Sequence, residues 1–124
     1  MGKWLSLIVG GVAGTIARYA LTGTIHQIFG SRFPYGTLIV NLSGCFIVGF
    51  LAAISAEKLL LSYNARLLLI TGFCGAFTTF SAFMLETVGL MKDGEVAGAF
   101  WNVSANVVLG FLVFRLGMYL AEMF

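Results

Sequence analysis

The chain has 124 residues, of which 60% are hydrophobic, 16 are glycine and only 10% carry a charge. A soluble domain of this size carries about 25% charged residues, so the composition excludes a soluble enzyme, a disordered chain and a nucleic-acid-binding domain. The net charge of +2 is too small to attract a polyanion. The composition therefore predicts an integral membrane protein.

Charged residues divide the chain into four segments that are long enough to cross a bilayer. Because a helix rises 1.5 Å per residue, about 20 residues span the ~30 Å hydrocarbon core. Three segments contain long runs without any charge, at 37–56, 67–85 and 96–114. We predict a single all-α transmembrane domain over residues 1–124. Its predicted spans are residues 4–27, 36–57, 66–90 and 96–121.

The first span places Gly10, Gly14 and Arg18 on one helix face, four residues apart. Glycines at this spacing allow two membrane helices to approach closely, and packing is their ordinary role. Arg18 lies near the middle of the span, where a charged side chain costs at least about 2.5 kcal/mol. Unless it snorkels to the interface, we expect Arg18 to face carbonyls, an acid or water.

The second and fourth spans carry amide side chains in otherwise apolar surroundings. Asn41 lies about one turn into the second span, and Asn102 and Asn106 share a face of the fourth with Gly110. An amide within a membrane either forms an interhelical hydrogen bond or acts as a hydrogen-bond donor along a path for an anion. Both interpretations are open for Asn41, whereas two asparagines on a single face favour a specific role.

The centre of the third span predicts a break in the helix. Gly72 and Gly75 lie three residues apart and are followed by Thr78 and Thr79, and all four residues are weak helix formers. Non-helical backbone at membrane depth is tolerated only where it is buried in protein or lines a cavity. The carbonyls that such a break frees can coordinate a small cation, and the freed N–H groups can contact an anion.

Two phenylalanines follow the predicted break. Phe80 and Phe83 lie three residues apart and so share a helix face. Phenylalanines on a membrane helix ordinarily face lipid or the protein core. A phenyl ring edge carries partial positive charge, however, and it can stabilise a small desolvated anion.

The remaining polar residues favour an anion as the ligand. The acidic residues Glu57, Glu86, Glu95 and Glu122 lie near span ends, so the middle of the membrane holds donors and one arginine. No nucleophile–base pair and no glycine-rich phosphate loop is present, so we predict that the chain is not an enzyme.

The residues that commonly bind metals are too few for a side-chain metal site. His26 is the single histidine, and Cys45 and Cys74 lie in apolar runs where cysteine is ordinarily a packing residue.

The distribution of charge leaves the orientation in the membrane undecided. With four spans both termini share one side, together with Lys3, Lys58 and Arg66, against Arg32 and Lys92 on the other. Three against two is almost no positive-inside bias. Either the few charges carry little information, or the chain inserts in both orientations and pairs with an antiparallel copy.

Residues 72–83, which read GFCGAFTTFSAF, closely resemble the hallmark of the Fluc (CrcB-type) fluoride channel family. The resemblance extends over the whole chain. Residues 10–19 resemble the first span of the family, residues 34–41 the opening of its second span, and Glu86 an acid that follows the phenylalanines. Asn102, Gly110 and Gly117 match its last span.

This resemblance implies a fold of four-helix subunits paired as an antiparallel, dual-topology dimer with the third helix broken. It also implies a fluoride-specific channel in the bacterial inner membrane that exports F⁻ passively and lowers cytoplasmic fluoride. The implied fluoride-pore residues are Arg18, Asn41, Phe80, Ser81, Phe83 and Asn106. The implied cofactor is a structural Na⁺ at the dimer interface, held by the backbone carbonyls of Gly75 and Thr78 from each copy.

The chain departs from the family pattern at Ala76 and Ala82, which replace the usual second glycine and the usual threonine, and at Gly110 and Phe114, where some relatives have serine and threonine. The polar track of the fourth span is therefore thinner than in some relatives. The expected partners are fluoride, membrane lipid and a second identical copy, with a hetero-pair of two different subunits as the alternative.

Two other functions fit four short spans. A transporter of the small multidrug type relies on a carboxylate in its first span, where this chain has Arg18. A non-transporting accessory subunit would use Arg18, Asn41 and Asn106 only to hold helices together.

Overall fold

The structure is a computed structural model that describes residues 2–124, and these residues form helices joined by short connections. Five helices are present in the described residues: α1 (Gly2–Phe29), α2 (Tyr35–Ala56), α3 (63–77), α4 (Phe80–Lys92) and α5 (Val96–Glu122). Since α3 and α4 together form one span, Tyr63–Lys92, four spans are long and apolar enough to cross a membrane. The predicted all-α class with four spans is confirmed.

The connections between spans lie at two ends of the bundle. The α1 helix ends where Gly30 adopts a φ of 79°, a left-handed conformation that glycine reaches without a steric penalty. Arg32, in the connection that follows, lies 3.6 Å from Glu95 in the turn between α4 and α5. These two connections therefore share one end. Because both side chains are exposed, the ion pair itself contributes little to stability.

Glycines set the distances between the packed helices. A Cβ atom on Gly10 would collide with the backbone of Leu68 in α3, and one on Gly14 would collide with the backbone of Phe73. The packing role that the sequence predicts for Gly10 and Gly14 is what the structure shows. Gly117 of α5 meets the backbone of Phe46 in the same way, so that α5 packs closely on α2.

The third span is interrupted between α3 and α4, which confirms the predicted break. Thr78 (φ −80°, ψ 157°) and Thr79 (φ −149°, ψ 119°) are extended. The Thr79 hydroxyl accepts a hydrogen bond of 3.2 Å from the N–H of Ala82 and so caps the start of α4. The break is thus a helix end followed by a capped helix start. Weak helix propensity alone would not define it this sharply.

Wide π-helical turns occur on two spans near this level. They cover Leu67–Cys74 in α3 and Ala105–Leu109 in α5. A π-helical turn takes more residues than an α-helical turn and shifts the face that later residues present. Residues that follow these turns are therefore rotated about the helix axis relative to a uniform α-helix.

The close approach of α1 to α3 makes a matched pair of substitutions informative. We expect Gly10→Ala to lower the stability of the protein by about 1–3 kcal/mol, because overpacking moves backbone on both helices. Gly11→Ala is the control, since a Cβ atom at Gly11 meets no atom within 4 Å. Thermal unfolding in detergent should show a lower midpoint for Gly10→Ala only; equal midpoints would contradict the packing described here.

Candidate functional site

The Asn41 side chain of α2 pairs with the extended backbone at the break. The Thr79 N–H donates to Asn41 Oδ1 over 2.9 Å, and Asn41 Nδ2 donates to the Thr79 carbonyl over 3.1 Å. One amide side chain therefore satisfies both backbone groups of a residue that lies outside any helix. This pairing explains how an interrupted helix is tolerated at membrane depth, where unpaired backbone groups are costly.

A chain of hydrogen bonds continues from Asn41 across α5 to α4. Asn41 Nδ2 also donates to Asn106 Oδ1 over 3.0 Å. Asn106 Nδ2 donates to the Asn102 carbonyl (2.8 Å) and to Asn102 Oδ1 (3.1 Å). Asn102 Nδ2 donates to Thr87 Oγ1 over 2.9 Å, and this hydroxyl donates to the Phe83 carbonyl over 2.7 Å. Each member of this series therefore donates to the next, from Asn41 at one end to the Phe83 carbonyl at the other.

Thr87 is a member of this network that the sequence analysis missed. It is buried in α4, and Asn102 beside it is only 1% exposed. The only available signal was a lone threonine in an apolar helix, and such a threonine ordinarily bonds to its own helix. Thr87 does so through Phe83, but it also accepts the amide of Asn102.

An open cavity of about 350 Å³, here called the main cavity, lies beside this network. Of the predicted pore residues, Asn41, Phe80, Phe83 and Asn106 line it together, with Thr78 and Thr79 of the break. The two phenyl rings meet edge to face, with centroids 5.7 Å apart. The rest of the lining is small or apolar: Gly44, Cys45, Val48, Val107 and Phe114. The cavity thus offers amides and aromatic rings without a formal charge.

Arg18 lines a second cavity of about 190 Å³, which shares Thr79 with the first. Arg18 Nε donates to the Ala76 carbonyl over 3.0 Å, so the intramembrane arginine faces a carbonyl of the broken helix. Glu86 lines the same cavity and accepts a hydrogen bond of 2.7 Å from Thr37 Oγ1. Its other oxygen has no partner among residues 2–124.

Two details of this region differ from the sequence-based interpretation. Ser81, a predicted pore residue, is exposed and lines neither cavity. Glu86, which we placed near a span end, is only partly exposed and lies six residues before the end of α4. The capped start of α4 at Thr79 sets which side chains of α4 point inward, and the sequence alone does not fix it.

The break also frees two backbone carbonyls. In a continuous helix the N–H of Thr79 would bond to the Gly75 carbonyl and that of Ala82 to the Thr78 carbonyl. Here Asn41 takes the first N–H and the Thr79 hydroxyl takes the second. Neither carbonyl has another hydrogen-bond donor within residues 2–124.

Side chains do not provide a metal site in this part of the chain. No group of three or more histidine, cysteine, aspartate or glutamate residues is placed to hold a metal ion in the described residues.

Comparisons with known proteins agree on one family. Residues 5–118 match the family model described as "CrcB-like protein, Camphor Resistance (CrcB)". The chain is 43% identical over 123 residues to the "Fluoride-specific ion channel FluC" of Dehalococcoides mccartyi, covering 99% of this chain and 95% of the relative. It is 44% identical over 114 residues to the protein of the same name from Chlorobium phaeobacteroides, covering 92% and 88%.

A third relative, from Solidesulfovibrio magneticus, has the same name and is 41% identical over 117 residues, covering 94% of each chain. These names describe ion channels, a class without enzymatic activity. The prediction that the chain is not an enzyme is therefore confirmed.

The buried end of the hydrogen-bond chain gives a prediction on stability. We expect Thr87→Val to destabilise the protein by about 1 kcal/mol, because the side-chain N–H of Asn102 is left without its acceptor. Thr87→Ser keeps the hydroxyl and is the control. Chemical unfolding in detergent should separate the two variants. If valine and serine at this position were equally stable, the Thr87 hydroxyl would have no structural role.

Proposed function

The chain belongs to the CrcB family, and we propose that it is a fluoride-specific channel through which F⁻ leaves the cell passively, down its gradient. The observation that carries this proposal is the cavity at the helix break, which is bounded by amides and phenyl rings. Relatives at about 40% identity over nearly their full length bear the name of such a channel. We place the protein in the plasma membrane of a bacterium, in contact with lipid, where export would lower cytoplasmic fluoride.

The chemistry of the cavity suits fluoride. Fluoride is small and strongly hydrated, so a pore must replace its water with groups of similar strength. Asn41 supplies an N–H donor, and Phe80 and Phe83 supply ring edges with partial positive charge. Neutral donors of this kind bind fluoride less tightly than a fixed cation would, so the ion can leave again. A larger halide gains less from these donors and ring edges, because its charge lies farther from them.

We assign the other predicted pore residues to this cavity or to the approach to it. The guanidinium of Arg18 lines the neighbouring cavity, which shares Thr79 with the first, and it would favour an anion there. Asn106 lines the main cavity beside Asn41. Ser81 is exposed on the single subunit and would contribute a hydroxyl only after a second copy covers it.

We propose that two copies assemble in antiparallel orientation, each inserted opposite to the other. Phe80 is 74% exposed although it lines the main cavity, and Gly75 of the break is also exposed. A second copy that covers this surface would close the cavity and separate it from lipid. An identical copy suffices for such a pair, and a related but different subunit is the alternative.

The free carbonyls of Gly75 and Thr78 fit a small hard cation, and we propose that Na⁺ lies between the two copies. Two oxygens from each copy would surround it, and backbone carbonyls at a helix break suit this ion. When bound, Na⁺ supplies a fixed positive charge that holds the two breaks together. The residues of this chain would contribute the carbonyl oxygens and the geometry of the break, which Asn41 maintains.

The accessory-subunit interpretation is supported by one observation. Arg18, Asn41 and Asn106 all form hydrogen bonds within the chain, as residues that merely hold helices together would. This alternative predicts that the purified protein transports no ion.

Efflux from liposomes that contain the purified protein tests the channel directly. A fluoride electrode should record rapid fluoride loss, and a chloride electrode should record none.

Phe83→Ile should slow fluoride loss by about tenfold, because aromatic contacts of this type contribute up to roughly 1.5 kcal/mol. Phe100→Ile is the control, as Phe100 is exposed and lines neither cavity. Equal rates for both variants would remove the aromatic part of the proposal, and a wild type without fluoride flux would remove the channel.

Antiparallel assembly predicts that the turn between α4 and α5 reaches both sides of the membrane. A cysteine introduced as Asp93→Cys lies in this exposed turn. In intact cells we expect a membrane-impermeant maleimide to label about half of it, and all of it after permeabilisation, since charge sets no orientation. The wild type controls for Cys45 and Cys74. Labelling of all or none of the sites in intact cells would contradict dual topology.

A further inference from the structure

The orientation of every amide in the hydrogen-bond chain is fixed by backbone groups at its two ends. At one end, the Thr79 N–H can only donate, so it holds the oxygen of Asn41 and leaves the nitrogen for Asn106. At the other end, the Phe83 carbonyl can only accept, so the Thr87 hydroxyl accepts from Asn102. Asn106 must therefore present its oxygen to Asn41.

This arrangement leaves no free amide donor at the main cavity. Asn41 Nδ2 has two hydrogens, one for the Thr79 carbonyl and one for Asn106 Oδ1. Asn106 Nδ2 donates to the carbonyl and to the side-chain oxygen of Asn102. An anion that enters the cavity can thus gain an N–H only by displacing an acceptor that already holds it.

The two acceptors on Asn41 differ in how firmly they are held. Thr79 is joined to Asn41 by two hydrogen bonds in opposite directions, so releasing it would expose both a backbone N–H and a carbonyl. Asn106 is joined to Asn41 by one bond between two side chains, and both side chains line the cavity. The bond to Asn106 is the one that can open without undoing the helix break.

We propose that Asn106 Oδ1 is a built-in competitor for the ion, and that fluoride binds by taking the Asn41 N–H from it. Asn102 and Thr87 are positioning residues, which hold Asn106 with its oxygen towards Asn41. This inference rests on the proposed function and adds a source of selectivity to it. Of the two halides, fluoride is the smaller and the stronger hydrogen-bond acceptor, so it displaces Asn106 more readily than chloride does.

Removing the competitor should make fluoride binding easier. The net worth of one hydrogen bond corresponds to about a two- to tenfold change in an equilibrium constant, so Asn106→Ala should lower the half-saturating fluoride concentration of efflux by about that factor. The same variant should admit measurable chloride flux. Asn64→Ala removes an exposed amide far along the chain and is the matched control. A higher half-saturating concentration for Asn106→Ala would identify Asn106 as a donor to the ion and overturn the proposal.

A titration of the wild type tests the same exchange without relying on a variant that folds. The chain has four asparagines, so the side-chain ¹⁵N–¹H signals in detergent micelles can be assigned by single substitutions. Fluoride should shift the Asn41 side-chain signals and leave the Thr79 backbone N–H in place, whereas chloride at the same concentration should shift the Asn41 signals less.

The two measurements separate the inference from the proposed function. An Asn41 signal that does not respond, in protein that conducts fluoride, would overturn the inference alone. A wild type that conducts no fluoride would overturn the proposed function. In that case the titration still decides whether fluoride opens the bond between Asn41 and Asn106.

Discussion

The pairing of the Asn41 side chain with the backbone of Thr79 is the interaction on which the site depends. It satisfies the backbone of Thr79, one of the two extended residues at the break, and so it allows α3 to end and α4 to begin there. It also takes the N–H that would otherwise bond to the Gly75 carbonyl. The direction of α4, and with it the position of Phe80 and Phe83 at the cavity, follows from this pairing.

The two amide side chains at the main cavity are neutral, and their N–H groups are satisfied within the chain. The one intramembrane arginine, Arg18, donates to the Ala76 carbonyl, and the amides of Asn41, Asn106 and Asn102 form a directional chain that ends at Phe83. A small anion in such surroundings competes with internal acceptors and meets no fixed cation in the main cavity. This arrangement suits a channel, in which an ion must bind well enough to enter and weakly enough to leave.

The sequence was sufficient to predict the spans and the break, because both depend on local features. Length and the lack of charge identify the spans, and Gly72, Gly75 and the two threonines identify the break. The need of Arg18 for a polar partner was also predictable, since an unpaired charge within a bilayer is costly, but carbonyls, an acid and water all remained open. The resemblance of residues 72–83 to a known family then supplied the candidate pore residues.

The contacts between helices were not predictable from one sequence. Asn102 and Thr87 meet because α4 starts afresh after the break and because a π-helical stretch, Leu67–Cys74, precedes it. A uniform helical spacing takes neither into account. Ser81 lies outside both cavities of the single subunit, and its place in the pore stays a prediction. Glu86 was underestimated for the same reason, since its distance from Lys92 along the chain says little about what it faces.

The reversal potential of the wild-type protein in a planar bilayer tests the central claim most directly. A fluoride gradient would be set across the membrane with an opposing chloride gradient. If the cavity at the break conducts fluoride alone, the current reverses at the equilibrium potential of fluoride. Reversal at the chloride potential, or at a value between the two, would contradict a fluoride-specific channel.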